Sequence, residues 1–153
     1  MKKFTFPLEA LLTVKKNKEE EVKRRLAEKN REAEGSRAEI ARVQDKLKEF
    51  QVEEKGRRGG GAEDVAAMRS SVAYRNTLKL QLLKEGQNLD GIMVGIYGIN
   101  QELVKAAQER RAVEVIKEKR YEEWKRENAV AEQKFMDELS QQGFVRKQRA
   151  ESA

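Results

Sequence analysis

The chain has no cysteine and no histidine among its 153 residues, and it has one proline. Without cysteine there is no disulfide framework and no thiolate nucleophile. Without histidine there is no imidazole base, and a zinc site of the usual kind cannot be built. No stretch approaches the roughly 20 consecutive apolar residues that cross a bilayer. The N-terminus opens Met1-Lys2-Lys3 and continues Phe4-Thr5-Phe6-Pro7-Leu8-Glu9, without the apolar core and cleavage site of a secretory signal. A phosphate loop of the form GxxxxGK[ST] is missing too, and no run of residues has metal-ligand spacing. Carboxylates are plentiful, but on a solvated helix they are surface charge, not a tuned acid–base pair. These absences point away from an enzyme and from a cofactor, and toward a protein that works in the cytoplasm by docking.

What remains is charge and periodicity. Charged residues make up 39% of the chain and hydrophobic ones 38%, a balance that suits long helices better than a thick layered core. Apolar residues recur at alternating four-three spacing: Leu8, Leu12, Val22, Leu26, Ala33, Ile40, Val43, Leu47 and Phe50. A stripe of period 3.5 on a helix must be covered by a second helix. Lys15 and Glu19 fall on this seam near its start, where they either set register or mark a fraying end.

The spacing predicts a first helix over about 7–55, with Pro7 in its first turn, where a missing N–H costs nothing. Gly56-Arg57-Arg58-Gly59-Gly60-Gly61 is the one concentrated helix breaker, so a glycine-rich loop is expected over 56–62. A second helix follows over about 64–140, its seam running through Leu78, Leu82, Leu89, Ile92, Ile96, Ile99, Leu103 and Ala106, and a basic tail closes the chain over 141–153. The expected fold is all-α: a single long antiparallel two-helix coiled-coil hairpin with unequal arms, monomeric. Folding at the glycines places Phe50 opposite Met68 and Leu8 opposite Glu109, which leaves the second helix unpartnered from Glu109 onward.

Three features stand out from that frame. Phe4 and Phe6 lie outside the first helix and either fold back as an apolar anchor or face a partner. Trp124, the only tryptophan, either packs on the returning N-terminus or anchors an interface. Gly91, Gly95 and Gly98 repeat beside the second seam and signal either close helix approach or a flexible segment, each costing about 1 kcal/mol against alanine.

Several segments together resemble the FliJ family of flagellar type III export proteins: Phe4-x-Phe6-x-Leu8-Glu9-x-Leu11-Leu12, the charged first helix, Tyr74-x-x-x-Leu78, and Glu132-x-Lys134-x-x-Asp137-Glu138. The resemblance covers nearly the whole chain. It implies a helical hairpin like the central stalk of rotary ATPases. Such a stalk docks in the export ATPase hexamer, touches the membrane-embedded export gate and escorts export chaperones, at the cytoplasmic face of the inner membrane. It implies ATPase-ring contacts at the helix ends, carried by Phe4, Phe6, Leu11, Arg120, Trp124, Asp137 and Glu138. It implies export-gate contacts near the hairpin tip at Leu47, Phe50, Tyr74 and Leu78. Val43, Glu54, Gln81 and Glu85 depart from the further gate contacts the family would carry.

Two rival readings come from the residues themselves. A stalk of a virulence-type secretion system, or a generic coiled-coil scaffold, would show the same heptads. Net charge +6 and a pI near 9.5 raise nucleic-acid binding, but acids and bases are interspersed and no basic stripe forms, so no nucleic acid is expected.

Overall fold

In a computed structural model, which describes residues 3–58 and 65–151, the chain forms two helices, α1 (Glu9–Arg58) and α2 (Val65–Glu151). They pack against each other as an antiparallel hairpin, with no strand among the described residues. The N–H of Glu9 donates to the carbonyl of Phe6 at 3.2 Å, so the chain turns into α1 across Pro7 and Leu8. Glu9 then places a carboxylate in the first turn of the helix, where it complements the dipole.

The antiparallel register is written in cross-helix pairs. Glu9 meets Lys117, Lys15 meets Glu109 and Arg25 meets Glu102, each at 2.7 Å. Nearer the connection Phe50 meets Tyr74 and Glu54 meets Arg75. The first partner climbs from 9 to 54 while the second falls from 117 to 75, as antiparallel neighbours must.

The chain divides into two units. One comprises Met1–Glu19 with Ala106–Ala153, the other Glu20–Lys105. Within the first, Phe6, Leu12 and Val113 form a buried cluster with Phe4 packed against it. Within the second, Val22, Ala33, Val43, Leu78 and Ile99 are buried, and Val43 is fully so. Leu26, Ile40, Leu47, Leu82, Leu89, Ile92, Ile96 and Leu103 are half-buried. The core is therefore one side chain deep, as a two-helix seam requires.

Four expectations need correction. Leu8 does not lie in the seam; it is exposed, and Phe6 fills the place instead. The two helices pair in a later register than folding at the glycines implied, because Gly56 continues α1 to Arg58. Phe50 thus faces Tyr74 and not Met68, and Lys15 faces Glu109. The expected unpartnered segment accordingly begins after Trp124, not at Glu109: every described residue of 125–146 except Asn128 is exposed. Finally, α2 runs on through the residues read as a basic tail, ending at Glu151. Of the expected loop, residues 56–58 are helical and 59–62 lie outside the described residues.

The glycines settle one open question. A Cβ built on Gly91, Gly95 or Gly98 meets nothing within 4 Å, so α1 does not approach closely there.

Candidate docking surfaces

At the N-terminal end of the hairpin, antiparallel pairing brings the first residues of the chain onto α2. The Phe4 ring lies edge-on to Tyr121 at 5.2 Å between centroids, and 5.8 Å from Trp124. Tyr121 and Trp124, three residues apart on one helix face, stack at 5.8 Å. Phe6 is buried in the adjoining cluster, and the Lys117 ammonium sits 5.8 Å from its ring centroid. Lys117 also reaches both carboxylate oxygens of Glu9. A shallow groove of about 460 Å³ opens beside the aromatics, walled by Phe4, Leu12, Lys16, Glu114, Lys117 and Tyr121.

One turn deeper, charge sits on the seam itself. Glu19 is buried, and its carboxylate accepts from the Arg110 guanidinium, which also donates to Glu114 at 2.6 Å. Arg110 thus forks between one carboxylate of α1 and one of its own helix. Hydrogen bonding to Glu19 and Glu114 holds the Arg110 guanidinium above its ordinary range. The bond from Arg110 holds the Glu114 carboxyl below the usual carboxylate range, and the bond from Lys15 does the same for Glu109. Glu19 belongs to a register-setting pair, since a frayed end would not bury its carboxylate against a guanidinium.

Of the residues expected at this end, the structure brings together Phe4, Phe6 and Trp124, and all three are engaged within the chain. Leu11 and Arg120 are exposed on their helices. Asp137 and Glu138 are exposed on the part of α2 that nothing in its unit covers. That part also displays Val130, Phe135, Met136, Leu139 and Phe144, which are 48–65% exposed. This 22-residue helical segment, exposed except at Asn128 and carrying large apolar side chains, is a candidate docking surface. Tyr121 was missed in the sequence, although its place three residues before Trp124 puts both rings on one face.

In the other unit, Leu47 and Phe50 are half-buried, Leu78 is buried and Tyr74 is exposed. The Phe50 and Tyr74 rings meet at 4.9 Å and 66°. Leu78 therefore offers nothing to a partner in this arrangement, while Tyr74 keeps an outer edge free. Beside it an apolar groove of about 450 Å³ runs along Val65, Met68, Val72 and Ala73 of α2.

Among the described residues no three His, Cys, Asp or Glu side chains gather as a metal site, and no helix is long and apolar enough to cross a membrane. The arrangement has exposed faces and aromatic anchors. A helical hairpin whose second helix runs on past the paired part defines a coiled-coil protein of the two-helix hairpin class.

The comparison with protein families gives this class a particular identity. The family described as flagellar FliJ protein matches residues 3–149, nearly the whole chain, and the chain belongs to it. It is a protein associated with flagellar type III export. No curated protein and no solved structure matches the chain.

Proposed function

We propose that this chain is the stalk-like component of the flagellar export apparatus, docking in the hexameric export ATPase and promoting its assembly and activity. In this reading the chain links the ring to the export gate and to export chaperones, at the cytoplasmic face of the inner membrane. The observation that carries the reading is the unmated part of α2 after Trp124, with its exposed Phe135, Met136, Asp137, Glu138 and Leu139. A helix that projects large apolar side chains among charges suits reversible contact with the inside of a ring, and burial of those side chains there would be favourable. Leu11 and Arg120 extend the ring surface. Phe4, Phe6 and Trp124 fix the N-terminus against α2 and thereby shape it.

Gate contact falls to the Phe50–Tyr74 pair and to the apolar groove beside it, with Leu47 and Leu78 supporting the pair from the seam. The virulence-system alternative has no observation of its own and recedes before the flagellar family match.

The test is ATP hydrolysis and ring formation by the flagellar export ATPase, with wild-type chain and the double variant Asp137→Lys, Glu138→Lys. Both positions are exposed, so the variant keeps its helicity and melting temperature. Stimulation by wild type and its loss in the variant supports ring docking on this segment. No stimulation by well-folded wild type would leave a coiled-coil scaffold as the better reading.

A further inference from the structure

The helix α2 has a second stripe that its pairing with α1 does not use. Leu80, Leu83, Val94, Tyr97 and Val104 are 53–72% exposed, and they fall on one heptad frame whose positions lie two residues after or before the seam positions Leu78, Ile92, Ile99 and Ala106. An offset of two residues on a helix is about 200°, so this stripe faces away from α1. The positions that complete it are Gln87, Asp90 and Gln101. In a chain that is 39% charged, a stripe of eight solvent-facing positions with a single charge is not a solvated face.

The flanks of the stripe show the same depletion and add a sign. The neighbouring heptad positions are Lys79, Lys84 and Lys105 at its two ends, with Gly86, Gly91, Met93, Gly98 and Asn100 between them. No acid occurs on either flank, and the three lysines make no ion pair among the described residues. The glycines are helical, and the hairpin has no steric need for them, since a Cβ on any of them meets nothing. What they do is lower the walls of the outer stripe, so that another backbone can come close.

One further feature adjoins this face. A groove of about 760 Å³ opens between the helices at Gln87 and Gly91, and Ser36 lines it. The Ser36 hydroxyl is buried with no hydrogen-bond partner, although a buried hydroxyl ordinarily has one.

We propose that the outer face of α2 from Leu80 to Val104 is a second coiled-coil seam, which receives an amphipathic helix with acidic flanks from a partner protein. The stripe supplies apolar a and d positions over about 37 Å of helix. The glycines admit close approach, and the terminal lysines select carboxylates. Charge decides against a second copy of this chain. Antiparallel pairing of the stripe with itself runs e positions along e positions and g along g, so Lys84 and Lys105 of both copies share one side and Lys79 of both copies the other, and neither side has an acid to offset them. The proposal is independent of ring docking, which uses another part of α2.

The probe is a synthetic helix of about four heptads with leucine at a and d and glutamate at e and g, labelled for fluorescence anisotropy, beside a twin with lysine at e and g. Repulsion between like flanks keeps each peptide from pairing with itself. The full-length chain binds the glutamate peptide and prefers it over the lysine twin by about tenfold at low salt. The double variant Lys84→Glu, Lys105→Glu reverses the preference. Val94→Asp abolishes binding of both peptides, whereas Val52→Asp, equally exposed but on α1, leaves it unchanged. Circular dichroism confirms that each variant is folded. Equal binding of the two peptides, no binding, or indifference to Val94→Asp would overturn the proposal. A dimer in sedimentation that Val94→Asp disperses would overturn it in favour of self-association, and retention on anionic vesicles lost in Val94→Asp would overturn it in favour of a lipid surface.

Discussion

Replacing Gly86, Gly91, Gly95 and Gly98 of α2 by alanine should stabilise the hairpin. Glycine in a helix interior is worse than alanine by about 0.5–1 kcal/mol, because its unfolded backbone has more freedom to lose. A steric clash can reverse that gain, and here none arises: the added Cβ meets no atom within 4 Å at any of the four positions, and none has a left-handed backbone. Gly91, Gly95 and Gly98 are neighbours on the helix, so the sum of the single effects is the upper bound for the combined variant. The quadruple variant therefore gains at most about 2–4 kcal/mol. For a chain of this size that raises the melting temperature by about 4–16 °C, read by thermal unfolding in far-ultraviolet circular dichroism. A fall in melting temperature for any single variant would refute the reasoning, because it would require that the methyl meets something. The same alanines raise the walls of the outer stripe of α2, so the quadruple variant should gain stability and lose affinity for the acidic probe helix together.

Ser36→Ala removes a buried hydroxyl without a partner and should stabilise the free chain by about 1 kcal/mol in chemical denaturation; destabilisation would mean that the hydroxyl is satisfied after all. Phe4→Ala strips one ring from the side of Trp124, so the emission of this sole tryptophan should shift to the red with helicity retained; an unchanged spectrum would remove the N-terminus from the aromatic cluster. Acid should also loosen the same unit. Glu109 and Glu114 are held below the ordinary carboxyl value of 4.5 by bonds from Lys15 and Arg110, so their folded-state charge is favoured over the unfolded one. That contribution is complete above the unfolded value and drains away as pH falls through the lower folded values. The melting temperature should therefore drop below about pH 4.5, and less so in Lys15→Met. A flat profile would show that the pairs add nothing.

Periodicity made the hairpin legible, because a 3.5-residue stripe needs a cover whatever the residues are. Val22, Ala33, Val43, Leu78, Ile99 and Ala106 lie buried where spacing put them. Register was not legible in the same way. Every heptad offers an equivalent pairing, and the glycine run at 56–61 looked like the place where the helix stops. Gly56 instead remains helical, because a single glycine costs less than breaking a paired helix. That one difference moved Glu109 from the start of an overhang to a partner of Lys15, and brought Tyr121 and Trp124 under Phe4. Leu8 failed for a local reason. The turn at Pro7 swings Phe6 into the seam, and its larger ring takes the place that spacing alone assigns to leucine. The outer stripe of α2 was in the sequence as well, but two interleaved heptads read as one broad apolar helix until the seam is known.

The charges on the seam answer what the apolar residues leave open, namely why the helices do not slide by a heptad. Among the described residues, cross-helix ion pairs align α1 with α2 at Glu9–Lys117, Lys15–Glu109, Glu19–Arg110, Arg25–Glu102 and Glu54–Arg75. A slip of seven residues in one direction keeps two opposite-charge meetings, Glu19 with Lys117 and Arg25 with Glu109. It sets Lys15 against Ile116, Glu9 against Trp124 and Glu54 against Leu82. The opposite slip also keeps two, Lys15 with Glu102 and Glu9 with Arg110, and it sets Glu19 against Leu103 in place of Arg110. Exposed pairs individually contribute little, and a partly buried one is weak evidence of stability. Their value here is comparative: the apolar seam is nearly indifferent to a heptad slip, so a few mismatched charges decide between registers. The double exchange Glu19→Arg, Arg110→Glu keeps the native match, whereas Glu19→Arg alone sets two guanidinium groups together on the seam. The exchange should restore most of the melting temperature that the single variant loses, and a failure to restore it would mean that packing alone holds the register.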